Sequence, residues 1–310
     1  MKITALAGGV GGAKLVDGLA KCLSVEDLKV IVNTGDDFVH FGLNISPDLD
    51  TICYTLADLS NETTGWGRKG EKWECMDSLK AINAPTWFNI GDRDLATHLE
   101  RTRRLKNGET LTQITGELCS AWGIKHSILP MSDEAVRTMI KTKEYGWLPF
   151  QEYFVKHQFT PVMQDYRFDH IEEAKITNEG KKALEESDWI IICPSNPFVS
   201  IEPIYQLCGV KEILKKKKVL AVSPIINGKA LKGPAAKMFN ELGIKPSSYE
   251  VFIRYHDFLD CFVVNNGEAR GINDRKHWHI MIKETNIIME DKMGRIRLAK
   301  EILKMIEAEL

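Results

Sequence analysis

A chain of 310 residues is long enough to bury a full core, as one large α/β domain or as two fused ones. Hydrophobic residues make up 44% of it and charged residues 27%, which is typical of a globular protein. The 41 basic and 43 acidic side chains leave a formal net charge of -2. No block of Lys and Arg is large enough to predict sequence-independent binding of nucleic acid, so we expect no nucleic-acid partner.

The cysteine pattern and the first residues together predict a cytoplasmic protein. The seven cysteines are scattered and form no C-x-x-C pair, which favours reduced thiols over a zinc site or a disulfide framework. The first residues run straight into glycines, as a first strand does, and do not resemble a signal peptide. No apolar stretch approaches the roughly 18 to 20 residues that a membrane helix needs, so we expect no membrane contact.

Continuous apolar runs predict a parallel sheet. Residues 2–7 and 28–32 flank a glycine loop and a segment with helical spacing, and the runs at 189–193 and 219–222 repeat this order in the second half. Strands that are apolar throughout are typical of a sheet covered by helices on both faces. We therefore predict an α/β fold, a doubly wound and mostly parallel Rossmann-like sheet, in one domain spanning residues 1–310.

The middle of the chain differs in character and predicts an inserted α+β cap over approximately residues 60–175. Helical patterns occupy 71–82, 95–105 and 111–122. Two further runs, 136–142 and 150–157, are predicted as β-strands joined by turn residues around Gly146. A last helix is predicted over residues 295–310 and would close the domain.

A glycine loop after the first strand predicts a phosphate site. It reads GGVGGAK over residues 8–14, and Gly9, Gly11, Gly12 and Lys14 are the predicted nucleotide-binding residues. Backbone N–H groups at the start of a helix suit a phosphate group. The loop is no Walker A motif, since Leu15 replaces the Ser or Thr, and it fails G-x-G-x-x-G at Lys14. Glycines kept for the turn alone remain the alternative.

Two acidic segments predict a metal site. Asp36 and Asp37 follow the second strand, where the carboxyl ends of parallel strands face a ligand crevice, and adjacent aspartates point different ways. Asp48 and Asp50 lie in the first turn of a predicted helix, where Asp48 has the alternative of complementing the helix dipole. Carboxylates with phosphate oxygens suit Mg2+. Asp50 beside Asp36 is the favoured pair.

Three further polar turns carry candidate residues. Arg93 precedes a predicted helix, and its guanidinium matches phosphates and planar rings. Ser195 and Asn196 lie between two prolines after a strand predicted to be central, where they can bond a phosphate or a base. Asn33 ends the second strand beside the acidic turn.

Taken together, these segments resemble the 2-phospho-L-lactate transferase (CofD/FbiA) family of coenzyme F420 biosynthesis. The matching stretches occur in family order from the first strand past the third quarter of the chain. They are GGVGGAKL (8–15), NTGDD (33–37), SPDLDT (46–51), GWGRKGEKWE (65–74), GDRDLATHL (91–99), LPMSDE (129–134), FQEYFV (150–155), PSNPFVSIEPI (194–204) and SPIINGKALKGPA (223–235). One such motif would be weak evidence, whereas nine in order are strong.

The resemblance implies a reaction and a distribution of roles. The family transfers a phospholactyl or phosphoenolpyruvyl group from a GMP-activated diphosphate donor to a ribityl hydroxyl of the deazaflavin Fo, and GMP leaves. The glycine loop, Asn33, Ser195 and Asn196 would hold the nucleotide. Asp50, Arg93 and Thr51 would face the deazaflavin. Asp36 and Asp50 would be catalytic and would bind magnesium, with Asp37 and Asp48 as alternate ligands. The resemblance also implies a homodimer.

Two other functional classes compete with this interpretation. Relatives with the same sheet bind nucleotide sugars as regulatory proteins, but their acidic turn runs into glycines and serines and not into the Phe38-Val39-His40 found here. A nicotinamide-dependent oxidoreductase rests on the glycine loop alone, and the second strand ends in Asn33 where that class places an acid. Phe41 departs from the family pattern, since His40 is expected to precede Gly42 directly. The sequence names no contact that selects the three-carbon acid.

Overall fold

The computed structural model describes residues 1–61, 63, 65–230, 233–273 and 279–309, so Leu231 and Lys232 of the 223–235 motif lie outside the described residues. The strands are β1 Ile3–Ala7, β2 Leu28–Val32, β3 Phe38–His40, β4 Leu43–Ile45, β5 Ser127–Pro130, β6 Arg137–Thr142, β7 Gly146–Pro149, β8 Met163–Asp169, β9 Trp189–Ile192, β10 Lys218–Val222, β11 Ile225–Ile226, β12 Lys229–Ala230, β13 Cys261–Asn265 and β14 Met281–Thr285. The helices are α1 Gly9–Ala20, α2 Pro47–Leu56, α3 Glu74–Ala81, α4 Asp92–Lys106, α5 Leu111–Ala121, α6 Asn178–Glu186, α7 Glu202–Gln206, α8 Val210–Leu214, α9 Ala235–Glu241, α10 Ser248–Tyr255, α11 Arg270–Asn273 and α12 Lys292–Glu307.

The centre of the molecule is a parallel sheet of seven strands in the order β14-β13-β10-β9-β1-β2-β5. From β1 the chain adds β2 and β5 on one side, and it later adds β9, β10, β13 and β14 on the other. The order therefore reverses between β1 and β9, and this is the topological switch point at which such sheets bind ligands. The predicted doubly wound, Rossmann-like fold is confirmed.

Alternate residues of the central strands enter two separate cores, as the pleat of a strand requires. Leu6, Ile190 and Ile192 contribute to one core, which the helices α6 to α10 cover. Ala5, Ala7 and Ile191 contribute to the other, beneath α1, α2, α5 and α12. Both faces of each strand are thus buried, which explains why the strands are apolar throughout.

Between β2 and β9 the chain adds helices α3 to α5 and a small antiparallel sheet of order β7-β6-β8. The range 60–175, predicted as a cap, also contains β5, which pairs in parallel with β2 at the edge of the central sheet. The helices predicted over 71–82, 95–105 and 111–122 correspond to α3, α4 and α5. Within the described residues no helix has both the length and the apolar composition needed to cross a bilayer.

The prediction of a strand over residues 150–157 is wrong. The strand that pairs with β6 is β7, which ends at Pro149, and residues Glu152–Lys156 form a π-helical turn. Phe150 and Phe154 lie four residues apart and their rings stack at 5.5 Å. Tyr153 is fully buried. Apolar residues at this spacing share one face of a helix, so the segment has helical periodicity despite its aromatic composition.

The residue that departs from the family pattern lies in a tight hairpin turn. Phe41 and Gly42 connect β3 to β4, and both have positive φ, 51° and 73°. A two-residue turn with two positive φ values matches the twist of the paired strands. The turn takes up Phe41 within the hairpin, before α2 begins at Pro47.

Candidate active site

A cavity of about 700 Å³ opens at the switch point of the sheet. One part of its wall comes from the glycine loop after β1, the acidic residues after β2 and the Pro194–Asn196 loop after β9. The other part is largely aromatic. Of the predicted site residues, Gly9, Gly11, Lys14, Asp36, Asp48, Thr51, Ser195 and Asn196 line it. Gly12, Asn33, Asp37, Asp50 and Arg93 are not among the lining residues.

The glycine loop approaches the loop after β9 too closely for side chains. A Cβ on Gly11 would lie 2.3 Å from the carbonyl oxygen of Pro194, and one on Gly12 would lie 2.6 Å from Ser195 Oγ. Helix α1 begins at Gly9, whose φ is 60°. Gly8, which precedes the helix, has no side chain to cap it, and the first turn contains no acidic residue. The Asp48 carboxylate of α2 lies against this helix end and accepts a hydrogen bond from Gly9 N–H, so the positive end of the dipole and an acidic residue meet at the same wall of the cavity.

The predicted nucleotide-binding side chains also have structural partners. The Ser195 hydroxyl donates to the Gly8 carbonyl oxygen at 2.6 Å and accepts from Gly8 N–H at 3.1 Å. Asn196 Oδ1 accepts from Phe198 N–H at 3.0 Å, which caps a π-helical turn. Lys14 Nζ donates to the Met289 carbonyl oxygen at 2.7 Å. These bonds hold the lining residues in place around the cavity.

Asp36 and Asp48 are the acidic residues from the two predicted segments that reach the cavity. Both are buried, and Asp36 Oδ1 accepts no hydrogen bond from the described residues. Burial, followed by the charges of Asp48 and Asp37, raises the pKa of Asp36 well above its usual value. Burial likewise raises the pKa of Asp48 to about 6, although hydrogen bonds to Asn33, Gly9 and Ser200 oppose it.

Asn33, which does not itself line the cavity, holds the Asp48 carboxylate by a hydrogen bond. Its Nδ2 group donates to Asp48 Oδ2 at 2.9 Å and to the Val199 carbonyl oxygen at 3.1 Å. Its Oδ1 accepts from Gly35 N–H at 2.9 Å, so the side chain has hydrogen bonds at both ends. Asp37 lies further back, where Oδ2 accepts from the Ser46 hydroxyl at 2.7 Å and burial raises its pKa to about 7.

Asp50 does not point into the cavity, contrary to the prediction. Its carboxylate forms a two-pronged ion pair with Arg101 on α4, through Nη2 to Oδ1 and through Nη1 to Oδ2 at 3.0 Å. Residues i and i+2 of a helix lie on nearly opposite sides, so Asp48 and Asp50 cannot face the same ligand. The first turn of α2 is therefore divided between two faces, and the predicted pairing of Asp50 with Asp36 would need both aspartates of this turn on one face.

Arg93, predicted to face the deazaflavin, is also not among the residues that line the cavity. Its guanidinium donates to the Lys69 carbonyl oxygen at 3.1 Å, and its N–H donates to Glu71 Oε2 at 2.8 Å. It thereby supports the 65–70 segment, which contributes Gly65 and Trp66 to the cavity wall. Thr51 does line the cavity, one helical turn beyond Asp48.

The aromatic part of the wall was not predicted. Trp66, Trp87, Phe88, Phe150 and Phe154 line it. Phe88 packs edge-on against Phe38 at 4.8 Å, which anchors this wall to the β3–β4 hairpin. The number of tryptophans in the polar 65–87 region was the available signal, but aromatic residues are more often core residues and the pattern does not distinguish the two cases.

The oxygen donors at the acidic end fit a hard divalent cation. Asp36 offers a buried oxygen without a described partner. Burial is the main cause of the raised pKa values of Asp36 and Asp48, and a bound cation would favour the ionised form of both carboxylates. Asp50, Asp94 and His98 form a second group of possible ligands, whose ligand atoms lie within 4.8 Å of one another. There the guanidinium of Arg101 already neutralises Asp50, so this group is a poor site for a cation.

The fold and the site define a Rossmann-like α/β protein with an acidic, glycine-lined cavity at its switch point. A family model described as 2-phospho-L-lactate transferase CofD matches residues 3–308, and the chain belongs to this family. The 2-phospho-L-lactate transferase of Methanosarcina mazei is 42% identical over 83% of this chain and 84% of its own. That of Methanocaldococcus jannaschii is 38% identical over 97% of both chains.

A solved structure of a Bacillus halodurans protein of the UPF0052 family has the same fold. The two superimpose with a TM-score of 0.61, covering 97% of this chain and 98% of that one, at 13% sequence identity. At this identity the likeness concerns the fold alone.

Proposed function

We propose that the protein is a magnesium-dependent 2-phospho-L-lactate transferase of coenzyme F420 biosynthesis. In this reaction a phospholactyl group, or a phosphoenolpyruvyl group, passes from a GMP-activated diphosphate donor to a ribityl hydroxyl of Fo. The observation that carries the proposal is the single cavity that joins a phosphate-binding type of loop to an aromatic wall, in a chain of this family. Relatives that are 42% and 38% identical bear the transferase name.

The two ends of the cavity suit the two substrates. The N–H groups at the start of α1 suit the diphosphate of the donor, and the Ser195–Asn196 loop lies beside them. The aromatic wall formed by Trp66, Trp87 and Phe154 suits a flat deazaflavin ring, since aromatic faces stack on planar ligands. Asp48 lies next to the glycine loop: its Oδ2 is only 2.5 Å from the position that a Cβ on Gly8 would occupy.

The reaction exchanges one P–O bond for another. The ribityl oxygen of Fo attacks the phosphorus that carries the three-carbon acid, and the bond from that phosphorus to the bridging diphosphate oxygen breaks. GMP departs with both electrons of that bond, and the hydroxyl proton passes to a carboxylate lining the cavity, Asp36 or Asp48. When bound, Mg2+ held by Asp36 and Asp48 would neutralise charge on the diphosphate. The glycine loop keeps the donor in line.

Product formation tests the proposal. The chain is incubated with Fo, Mg2+ and either the lactyl or the enolpyruvyl diphosphoguanosine, and phospholactyl-Fo or its enolpyruvyl counterpart is measured together with GMP by chromatography and mass spectrometry. Formation of one product and GMP in equal amounts supports the transferase, and comparing the two donors identifies the acid. Saturable binding of a uridine nucleotide sugar without any transfer would favour the regulatory alternative.

A further inference from the structure

The first turn of α2 presents carboxylates to two sides. Asp48 and Thr51, three residues apart, face the cavity. Asp50 and Tyr54, four residues apart, face α4, where each forms polar contacts. Since residues three or four apart share a helix face, these are two separate stripes of one helix. The orientation of Asp48 therefore depends on what holds the opposite stripe.

Arg101 is the principal contact on that opposite stripe. Only 2% of its surface is exposed, and Asp50 is 6% exposed. Besides the two-pronged pair, Arg101 Nη1 lies 3.4 Å from the Asn44 carbonyl oxygen and 3.3 Å from His98 Nδ1. Arg101 thus joins the start of α2 and the preceding β4 to one point on α4.

Helix α4 is itself fixed, so it can serve as a reference. Its N-terminal end is capped by Glu71, which accepts from the backbone N–H groups of Arg93 and Asp94 at 2.8 and 3.0 Å. The hydroxyl of Tyr54 bonds Asp94 at 2.6 Å and Thr97 at 2.8 Å. These contacts lock the rotation of α2 about its own axis at two successive turns.

We propose that Arg101 and Asp50 are positioning residues of the transferase: their ion pair sets the rotation of α2 and so the place of the Asp48 carboxylate in the cavity. The inference rests on the proposed function. Neither residue is among those that line the cavity, so the inference gives both a positioning role and not a catalytic one. Buried ion pairs are well suited to fixing geometry, because a misplaced partner leaves a charge without compensation in a poorly solvated interior.

A double-mutant cycle tests the pairing. Asp50→Asn and Arg101→Gln are made singly and together, and kcat and KM are measured for the donor and for Fo. We expect each single variant to lose kcat by about 10- to 100-fold, as small misplacements near a reacting group do. The double variant should lose no more than either single one, because the two residues act as one unit. KM for Fo should change little, since the aromatic wall is untouched.

Two further variants control the cycle. Arg103→Gln removes an exposed ion pair to Glu100 from the outward side of the same helix, and it should leave kcat and KM at wild-type values. Arg101→Lys retains the positive charge but cannot bind Asp50 through two nitrogens, so its kcat should lie between those of Arg101→Gln and the wild type. Circular dichroism establishes that each variant folds; should Arg101→Gln fail to fold, the cycle is completed with Arg101→Lys and its combination with Asp50→Asn.

The outcomes separate this inference from the proposed function. Loss of all turnover in Asp50→Asn with near-normal turnover in Arg101→Gln would overturn it, since Asp50 would then act directly. Fully additive losses would overturn it as well. If the wild-type chain forms no product, the proposed function fails, and the cycle is measured instead on the affinity for GDP with Mn2+. Coupling between Asp50 and Arg101 in the GDP affinity would still support the positioning role. Independent effects of the two substitutions on that affinity would overturn it.

Discussion

Gly11 packs directly against the backbone of Pro194: a Cβ on Gly11 would lie only 2.3 Å from the Pro194 carbonyl oxygen. This contact joins the loops after β1 and β9 at the switch point, and it involves backbone on the Pro194 side. A side chain at Gly11 therefore cannot be accommodated by a rotamer change, and one of the two loops must move. The space available to a phosphate depends on this approach.

Gly11→Ala should accordingly weaken nucleotide binding and destabilise the fold. We expect a loss of about 1–3 kcal/mol in the free energy of unfolding, as for other overpacked sites, and a clear loss of GDP affinity. Gly116→Ala is the matched control, because Gly116 is in α5 and a Cβ there would meet nothing within 4 Å. The control should gain about 0.5–1 kcal/mol through helix propensity. Urea unfolding and calorimetry measure both; an unchanged GDP affinity in Gly11→Ala would contradict the role of the loop.

Asp36→Asn and Asp48→Asn should each abolish most turnover while the fold remains. The amide retains the shape of the carboxylate but is a weak ligand for Mg2+, so the Mg2+ concentration at half-maximal rate should rise at least about 10-fold. Thermal unfolding should change little or rise, because burial raises the pKa of both acids and the neutral amide avoids that desolvation. Asp165→Asn, on an exposed residue, is the control. Normal Mg2+ dependence in both variants would rule out these residues as the metal site.

Trp66→Ala should weaken Fo binding with little effect on stability. Trp66 lines the cavity yet is 46% exposed, so its removal leaves no large void in the core. Loss of one stacking face should cost about 1–3 kcal/mol of binding free energy. A fluorescence titration with Fo should therefore give a dissociation constant that is about 5- to 150-fold larger. Tyr145→Ala removes an exposed ring elsewhere and should bind Fo normally. Equal affinity in the two variants would show that the deazaflavin does not use this wall.

Asp94 should make the stability of the protein depend on acid pH. Burial would raise its pKa, but hydrogen bonds from His98 and Tyr54 with the charges of His98 and Arg101 outweigh this, and the pKa is lowered. The ionised form thus stabilises the fold above the unfolded pKa of about 3.9, and this contribution is lost as pH falls through the folded pKa.

The difference in unfolding free energy between wild type and Asp94→Asn should therefore be largest above about pH 5 and should shrink towards pH 3. Urea titrations at several pH values measure it, with Asp165→Asn as an exposed control. A difference that is constant over this range would mean that Asp94 stabilises through its hydrogen bonds alone.

The sequence predicted what depends on local pattern. The apolar strands, the glycine loop and the position of the acidic turn after β2 follow from periodicity and turn chemistry, and the sheet order confirms the fold class. Periodicity also contained the helical signal over 150–157, where strand-forming aromatic composition led to the wrong assignment. In that segment the spacing of Phe150, Tyr153 and Phe154 was the better guide.

The directions in which the side chains of the site point could not be predicted from the sequence. Whether Asp48 or Asp50 faces the cavity is decided by Arg101, which is about fifty residues away in the chain and becomes a neighbour only when α4 packs on β4 and α2. Trp66 and Trp87 line the cavity for a similar reason, since their loops are carried there by tertiary contacts. Whether a carboxylate or an aromatic ring faces a ligand is a property of packing between distant segments.

The position of β1 at the middle of the sheet has a consequence for synthesis on the ribosome. One side of β1 pairs with residues 28–32, but the other side pairs with residues 189–192. Until more than half of the chain has emerged, the nascent protein therefore presents an apolar strand with unpaired backbone groups along one edge, which is a template for pairing with other chains. The half of the cavity formed by the first fifty residues is likewise incomplete until β9 has emerged, so covering that edge during translation would favour correct folding.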